Sequence, residues 1–164
     1  MKKSFFGSQR EQSGRSMIEM LGVLTIMGVI TVGAIAMITA AMRSQKRTAL
    51  QDEVAQVVTG VRALLGEYDD YSGIDNSTIF AAIGVSSRNS FNGEYVLSVN
   101  TADPRQFVLS ITGLNKTECQ YFKTKAWGDS VGYQISGGKS GGATAYPSDC
   151  SAADGRNTIR IVYN

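Results

Sequence analysis

The chain has 164 residues, with 16 Lys and Arg against 14 Asp and Glu, two Cys and no His. Lys2, Lys3, Arg10 and Glu11 account for the net charge of +2, so residues 15–164 are formally neutral. That balance argues against an extended basic surface for nucleic acid or anionic lipid, and the lack of histidine argues against a zinc site and against imidazole acid–base chemistry.

The length suits one modest domain plus an extra element. Residues 1–16 are polar and basic, and a run of 26 mostly apolar residues then follows, Met17–Met42. As a helix this run extends about 39 Å, more than the roughly 30 Å of a bilayer's hydrocarbon core. Glu19 is its single charged side chain. A carboxylate at the centre of a membrane helix costs about 2.5–3.5 kcal/mol, so Glu19 calls for a positive partner. Arg15, four residues earlier, lies one helical turn away. Gly22, Gly28 and Gly33 punctuate the run, and Ala34, Ala36, Ala40 and Ala41 follow. Small residues let membrane helices approach closely, although the same composition is ordinary for a membrane helix. Glycines also weaken a helix, which makes Gly28–Gly33 a candidate for local melting. Basic residues flank both ends, so charge bias leaves the orientation open. A signal peptide cut after Ala34-Ile35-Ala36 fits the small-x-small pattern. It leaves Glu19 unexplained and divides a pattern that continues past it. A plain signal anchor is the other simple reading.

Beyond Met42, Leu50, Val54, Val57, Val61, Leu64 and Tyr68 recur at steps of three and four, with Val58 and Leu65 beside them. This is one face of an amphipathic helix. Gly66 and Asp69-Asp70 mark its end, which predicts one helix from about Met17 to Tyr68, about 78 Å long. Asp75-Asn76-Ser77 caps a short helix through Ile83, and Asn92-Gly93 is a turn signal. Tyr95–Val99 and Gln106–Ile111 read as strands joined around Asp103-Pro104, and Val131–Ile135 and Thr158–Tyr163 as further strands. Between them, Asn115–Ala126 has near-helical apolar spacing and Gly137–Ala145 is a glycine-rich loop. The expected class is α+β: a long N-terminal helix packed on an antiparallel sheet. Cys119 and Cys150 are too far apart for a CxxC redox motif. In an exported domain they would form one disulfide closing a loop of about 30 residues, worth roughly 3–4 kcal/mol. In a cytosolic domain they would stay as two buried thiols.

The segment Ser13-Gly14-Arg15-Ser16-Met17-Ile18-Glu19-Met20-Leu21-Gly22-Val23-Leu24 resembles the N-terminus of type IV pilins and the related pseudopilins. In that family a dedicated inner-membrane peptidase cuts after a leader glycine and methylates the new amine. A glutamate stands fifth in the mature chain. The resemblance implies cleavage between Gly14 and Arg15, N-methylation of Arg15, and Glu19 as the acid that sets assembly register. Arg15 departs from the family's usual apolar first residue. The implied organisation is a leader over 1–14, a membrane and filament-core helix over 15–42, its amphipathic half over 43–68, and a globular head over 69–164. The element order and a Cys119–Cys150 bridge near the C-terminus resemble the type IVb branch, a pilin-like architecture.

The implied function is a pilus subunit for adhesion, motility, conjugation or DNA uptake. Its implied partners are other copies of the chain, the prepilin peptidase, an assembly ATPase and its membrane platform. The precursor would sit in the inner membrane, head in the periplasm, and the assembled form outside the cell. Alternatives are a type II secretion pseudopilin, a minor pilin, or a membrane-anchored periplasmic binding domain. No cofactor, metal, specific nucleic-acid binding or enzymatic activity is expected.

Other motifs carry less. Gly138-Lys139-Ser140 lacks the earlier glycine of a phosphate loop, since Tyr133 stands there. Asn76-Ser77-Thr78 and Asn115-Lys116-Thr117 match glycosylation sequons that arise by chance. Asp69, Asp70, Asp75, Asp149 and Asp154 lack calcium-loop spacing. Tyr121, Phe122, Trp127 and Tyr133 are expected in the core rather than on a sticky surface.

Overall fold

The computed structural model describes residues 12–68, 70–137, 150 and 155–164, with backbone alone at 12–16 and 133–137. The fold is α+β, as the pattern predicts, with helices α1 (Gln12–Leu65), α2 (Asn76–Ile83) and α3 (Lys116–Lys123). Its strands are β1 (Tyr95–Val99), β2 (Phe107–Leu114), β3 (Ser130–Gly137) and β4 (Asn157–Tyr163). By internal contacts the chain divides into two units between Gln45 and Lys46.

In the first unit, every described side chain from Met17 onward is exposed. Apolar residues point to all sides of α1, and Ile18 and Met37 are each 76% exposed. A helix that is apolar all round belongs in lipid or inside a larger assembly. The helical stretch Met17–Leu65 is long and apolar enough to cross a membrane. The hydroxyls of Thr25, Thr31 and Thr39 donate to the carbonyls of Leu21, Met27 and Ala36 at 2.7, 2.7 and 2.9 Å. Each satisfies its polar group within the helix, as an apolar surrounding requires.

In the second unit, Leu50, Val54, Val57, Val58 and Val61 of α1 join the core. The apolar stripe ends differently from the prediction. Leu64 is exposed, Tyr68 is 69% exposed, and Leu65 packs on the core instead. The stripe steps from Val61 to Leu65, and the helix stops before a further turn can bring Tyr68 round. Gly66 N–H closes the last turn on Arg62 O at 2.8 Å.

All strand pairs are antiparallel, in the order β1-β2-β4-β3. The last strand in sequence therefore fills the slot between β2 and β3. The burial of β1, β2 and β4 alternates strictly enough to give one core face and one outer face. The inner face is built on Tyr95, Leu97, Phe107, Leu109, Ile159 and Ile161. Tyr71 meets Phe107 edge-on with centroids 4.9 Å apart, and Phe107 stacks on Tyr163 at 5.5 Å. Phe122 and Trp127 are buried, as expected, and Tyr121 is half-buried at the margin.

α2 begins where the sequence places its cap. The Asp75 carboxylate accepts from Thr78 N–H at 3.0 Å and from Ser77 Oγ at 2.7 Å. The Thr78 and Ser77 side-chain hydrogen bonds hold the Asp75 pKa down at about 2. Asn92 adopts the left-handed conformation of the predicted turn, φ 63°. Beside it, Gly93 and Gly113 bring two backbones together so closely that a Cβ on either would overlap the other strand's main chain. Buried Asn89 fixes this turn by donating to Thr112 O at 2.8 Å and accepting from Phe91 and Gly93 N–H, both at 2.9 Å.

Candidate functional site

Two features stand out chemically: the apolar half of α1 with its single acid, and the group that ties α3 into the head. Gly14 and Arg15 lie in the first turn of α1. Their side-chain surroundings fall outside the described residues, as do residues 1–11. Glu19 follows Arg15 by one helical turn and is exposed on the apolar surface. Residues 138–149, which include Gly138-Lys139-Ser140, most of the glycine-rich loop and Asp149, also lie outside the described residues. So do Asp69, Asp154 and the Tyr133 side chain.

Cys119 and Cys150 are joined in a disulfide, with Cα atoms 5.7 Å apart and a sequence separation of 31. Both are buried, Cys119 completely. Cys119 sits in the first turn of α3, which Asn115 caps by accepting from Glu118 N–H at 2.8 Å. Cys150 precedes β4, so the bridge fastens α3 to the chain entering the sheet's inner slot.

Glu118, next to Cys119, is 1% exposed and meets Arg47 of α1 in a two-pronged pair. Arg47 Nε lies 2.6 Å from one carboxylate oxygen and Nη2 3.0 Å from the other. This geometry is the strong form of an Arg–carboxylate contact. The hydrogen bond to Glu118 raises the Arg47 pKa further above its ordinary value, against the opposing effect of burial. The Arg47 guanidinium also lies 4.0 Å from the centroid of the Tyr121 ring, and Lys125 Nζ lies 5.2 Å from the same ring. A second, partly buried contact ties α1 to the sheet: Tyr95 OH donates to Glu53 Oε2 at 2.6 Å. Burial, then that hydrogen bond, pushes the Tyr95 phenol well above its ordinary pKa.

Sequence reasoning did not find Arg47, Glu118, Glu53 or Tyr95 as partners. The ion pair spans 71 residues and the Tyr95 contact 42, and no local pattern encodes either. The sequon asparagines have structural work: Asn115 caps α3, and Asn76 grips the Leu97 backbone, donating at 2.9 Å and accepting at 2.6 Å. Asp70 accepts from Ser72 N–H at 2.9 Å and Asp75 caps α2, so both carboxylates serve local turns. No protein-family model matches the chain, and no curated protein matches it.

Proposed function

We propose that the chain is a type IV pilin of the IVb-like kind. It would be made as a prepilin in the inner membrane with its head in the periplasm. Cleavage after Gly14 and methylation of Arg15 would precede polymerisation into a surface filament, with the prepilin peptidase, an assembly ATPase and its platform as partners. The observation that carries this reading is the surface of α1. Met17–Met42 exposes apolar side chains on every side, with one acid, Glu19, near its start. Lipid can cover that surface before assembly, and the same helices of neighbouring copies can cover it afterwards.

The chemistry of Glu19 supports this order of events. Cleavage would create a positive amine at Arg15, one helical turn from Glu19. In a filament the Glu19 of one copy can pair with the terminal amine of its neighbour, offsetting the desolvation of both. A buried polar pair of this kind also fixes register. The anchored binding domain, by contrast, needs neither the cut nor the acid. The deciding experiment is mass spectrometry of the N-terminal peptide of protein sheared from cell surfaces. A chain beginning at methylated Arg15 supports the proposal. An intact Met1, or a start after Ala36, overturns it.

A further inference from the structure

The outer face of the sheet differs from an ordinary solvated surface. The register sets Val108 beside Val162, and Ser110 between Val96 and Arg160. With Val131, these residues help to line a groove of about 520 Å³. Val131 is 54% and Val96 38% exposed. Among the described residues, Arg160 is the only charged one in the lining and no carboxylate lines it. Ser98, Asn100, Thr101 and Gln106 also line it, so the groove offers a row of valines, neutral polar groups and, among the described residues, one cation.

The opposite combination stands just past the end of α1. Tyr68 is 69% exposed, with Glu67 and Asp70 close by in sequence. Both acids follow the helix's C-terminal carbonyls, whose partial negative charge disfavours them there. Asp70 is held by Ser72 and has no cation within ion-pair distance among the described residues. An exposed tyrosine flanked by acids is a projection that gains from a groove offering valine side chains, neutral polar groups and a cation. Neither Glu67, Tyr68 nor Asp70 lines the groove of its own copy.

We propose that the outer sheet groove of one copy receives the Glu67–Tyr68–Asp70 projection of a second copy. Tyr68 would lie against the valines and Arg160 would pair with Glu67. The contact joins two different patches, so it does not close on itself as a two-fold dimer does. It propagates from copy to copy, and closes a ring or extends as a helix according to the rotation between copies. This inference rests on the filament reading, to which it adds the head-to-head contact.

The test uses the full chain in cells that export it. A photoreactive benzophenone analogue of phenylalanine replaces Tyr68, and sheared material is irradiated and mapped by mass spectrometry. The expected result is filaments by electron microscopy and cross-links from position 68 to Val96, Val108 or Val162 of a second copy. Separately, Glu67→Arg and Arg160→Glu should each lower filament yield at least about tenfold, and the two together should restore most of it. Filaments whose cross-links fall elsewhere on a second copy, or on a different protein, overturn this contact and leave the filament reading standing. A wild-type chain that is exported and processed but never assembles overturns both. Failure of the charge swap to restore yield, with both single variants folded and processed, overturns the Arg160–Glu67 pairing.

Discussion

Removing Cys119 should cost the head most of the stability that its single cross-link supplies. The bridge spans a sequence separation of 31. Loop-closure entropy for that span gives about 3.7 kcal/mol at room temperature. A unit of roughly 120 residues has an unfolding entropy of about 0.25 kcal/mol per kelvin near its midpoint. The midpoint should therefore fall by about 15 °C. Cys119→Ala is the better probe, because a serine hydroxyl at this completely buried position would add its own desolvation cost. Cys150→Ala should cause a similar loss. The double variant should lose little more than either single one, since one bond is deleted in all three. The assay is thermal unfolding of the detergent-solubilised full chain, followed by near-ultraviolet circular dichroism, with and without reductant. Reduced wild type should match the variants. Midpoints of all three variants within about 3 °C of oxidised wild type would refute the entropy argument and make the bridge energetically idle.

Arg47→Ala should destabilise by about 3 kcal/mol, because it leaves the Glu118 carboxylate, 1% exposed, without its guanidinium. Adding Glu118→Gln should recover part of that loss, which a double-mutant cycle from chemical denaturation measures. Gly113→Ala should cost at least about 2 kcal/mol, since Gly113 has φ 78° and its Cβ would meet the Gly93 backbone. An unchanged denaturation midpoint would show that the Asn92-Gly93 turn can move away from β2 freely. The Asp75 pKa lies at about 2, below its ordinary value of 3.8. Its contribution is thus present above pH 3.8 and is lost as pH falls towards 2. Asp75→Asn should flatten the acid limb of stability in that window, as read by fluorescence during an acid titration. Glu19→Ala should leave the protein inserted and processed but lower filament yield; normal yield would rule out Glu19 as the register acid.

Local signals carried the fold class because each lies within a few residues. The alternation Tyr95–Val99 and Thr158–Tyr163 marked strands on which burial alternates in the structure. Asp75 and Asn92-Gly93 marked a cap and a turn that form where expected. Helical spacing also marked Leu50, Val54, Val57 and Val61, all buried. It failed at Leu64, because the stripe steps four residues from Val61 to Leu65, and at Tyr68, because periodicity does not reveal where a helix stops. The insertion of β4 between β2 and β3 was not legible, since strand order depends on contacts between distant segments. The same holds for Arg47 with Glu118, and for Gly93 against Gly113. Of the candidate site, the disulfide was readable as one of two alternatives. Glu19 was readable because a lone acid in an apolar run violates the local rule.

The ties in the head form a continuous series. Arg47, at the start of the head unit, grips Glu118 of α3 through two hydrogen bonds. The adjacent Cys119 is bonded covalently to Cys150, and the chain from Cys150 leads into β4, one of the two inner strands of the sheet. Within the second unit, α1 is thus joined to the centre of the sheet through an ion pair and a covalent bond, in addition to the dispersed apolar contacts of Leu50, Val54, Val57 and Val61. Apolar contacts alone hold a helix on a sheet without fixing its axial position, because neighbouring rows of similar side chains can slide past one another. The bidentate Arg47–Glu118 geometry has one register in which both hydrogen bonds form. That register fixes the axial position of the second unit's stretch of α1 against α3. The arrangement places the strongest directional contacts of the second unit at Arg47 and Glu118, at the start of its stretch of α1.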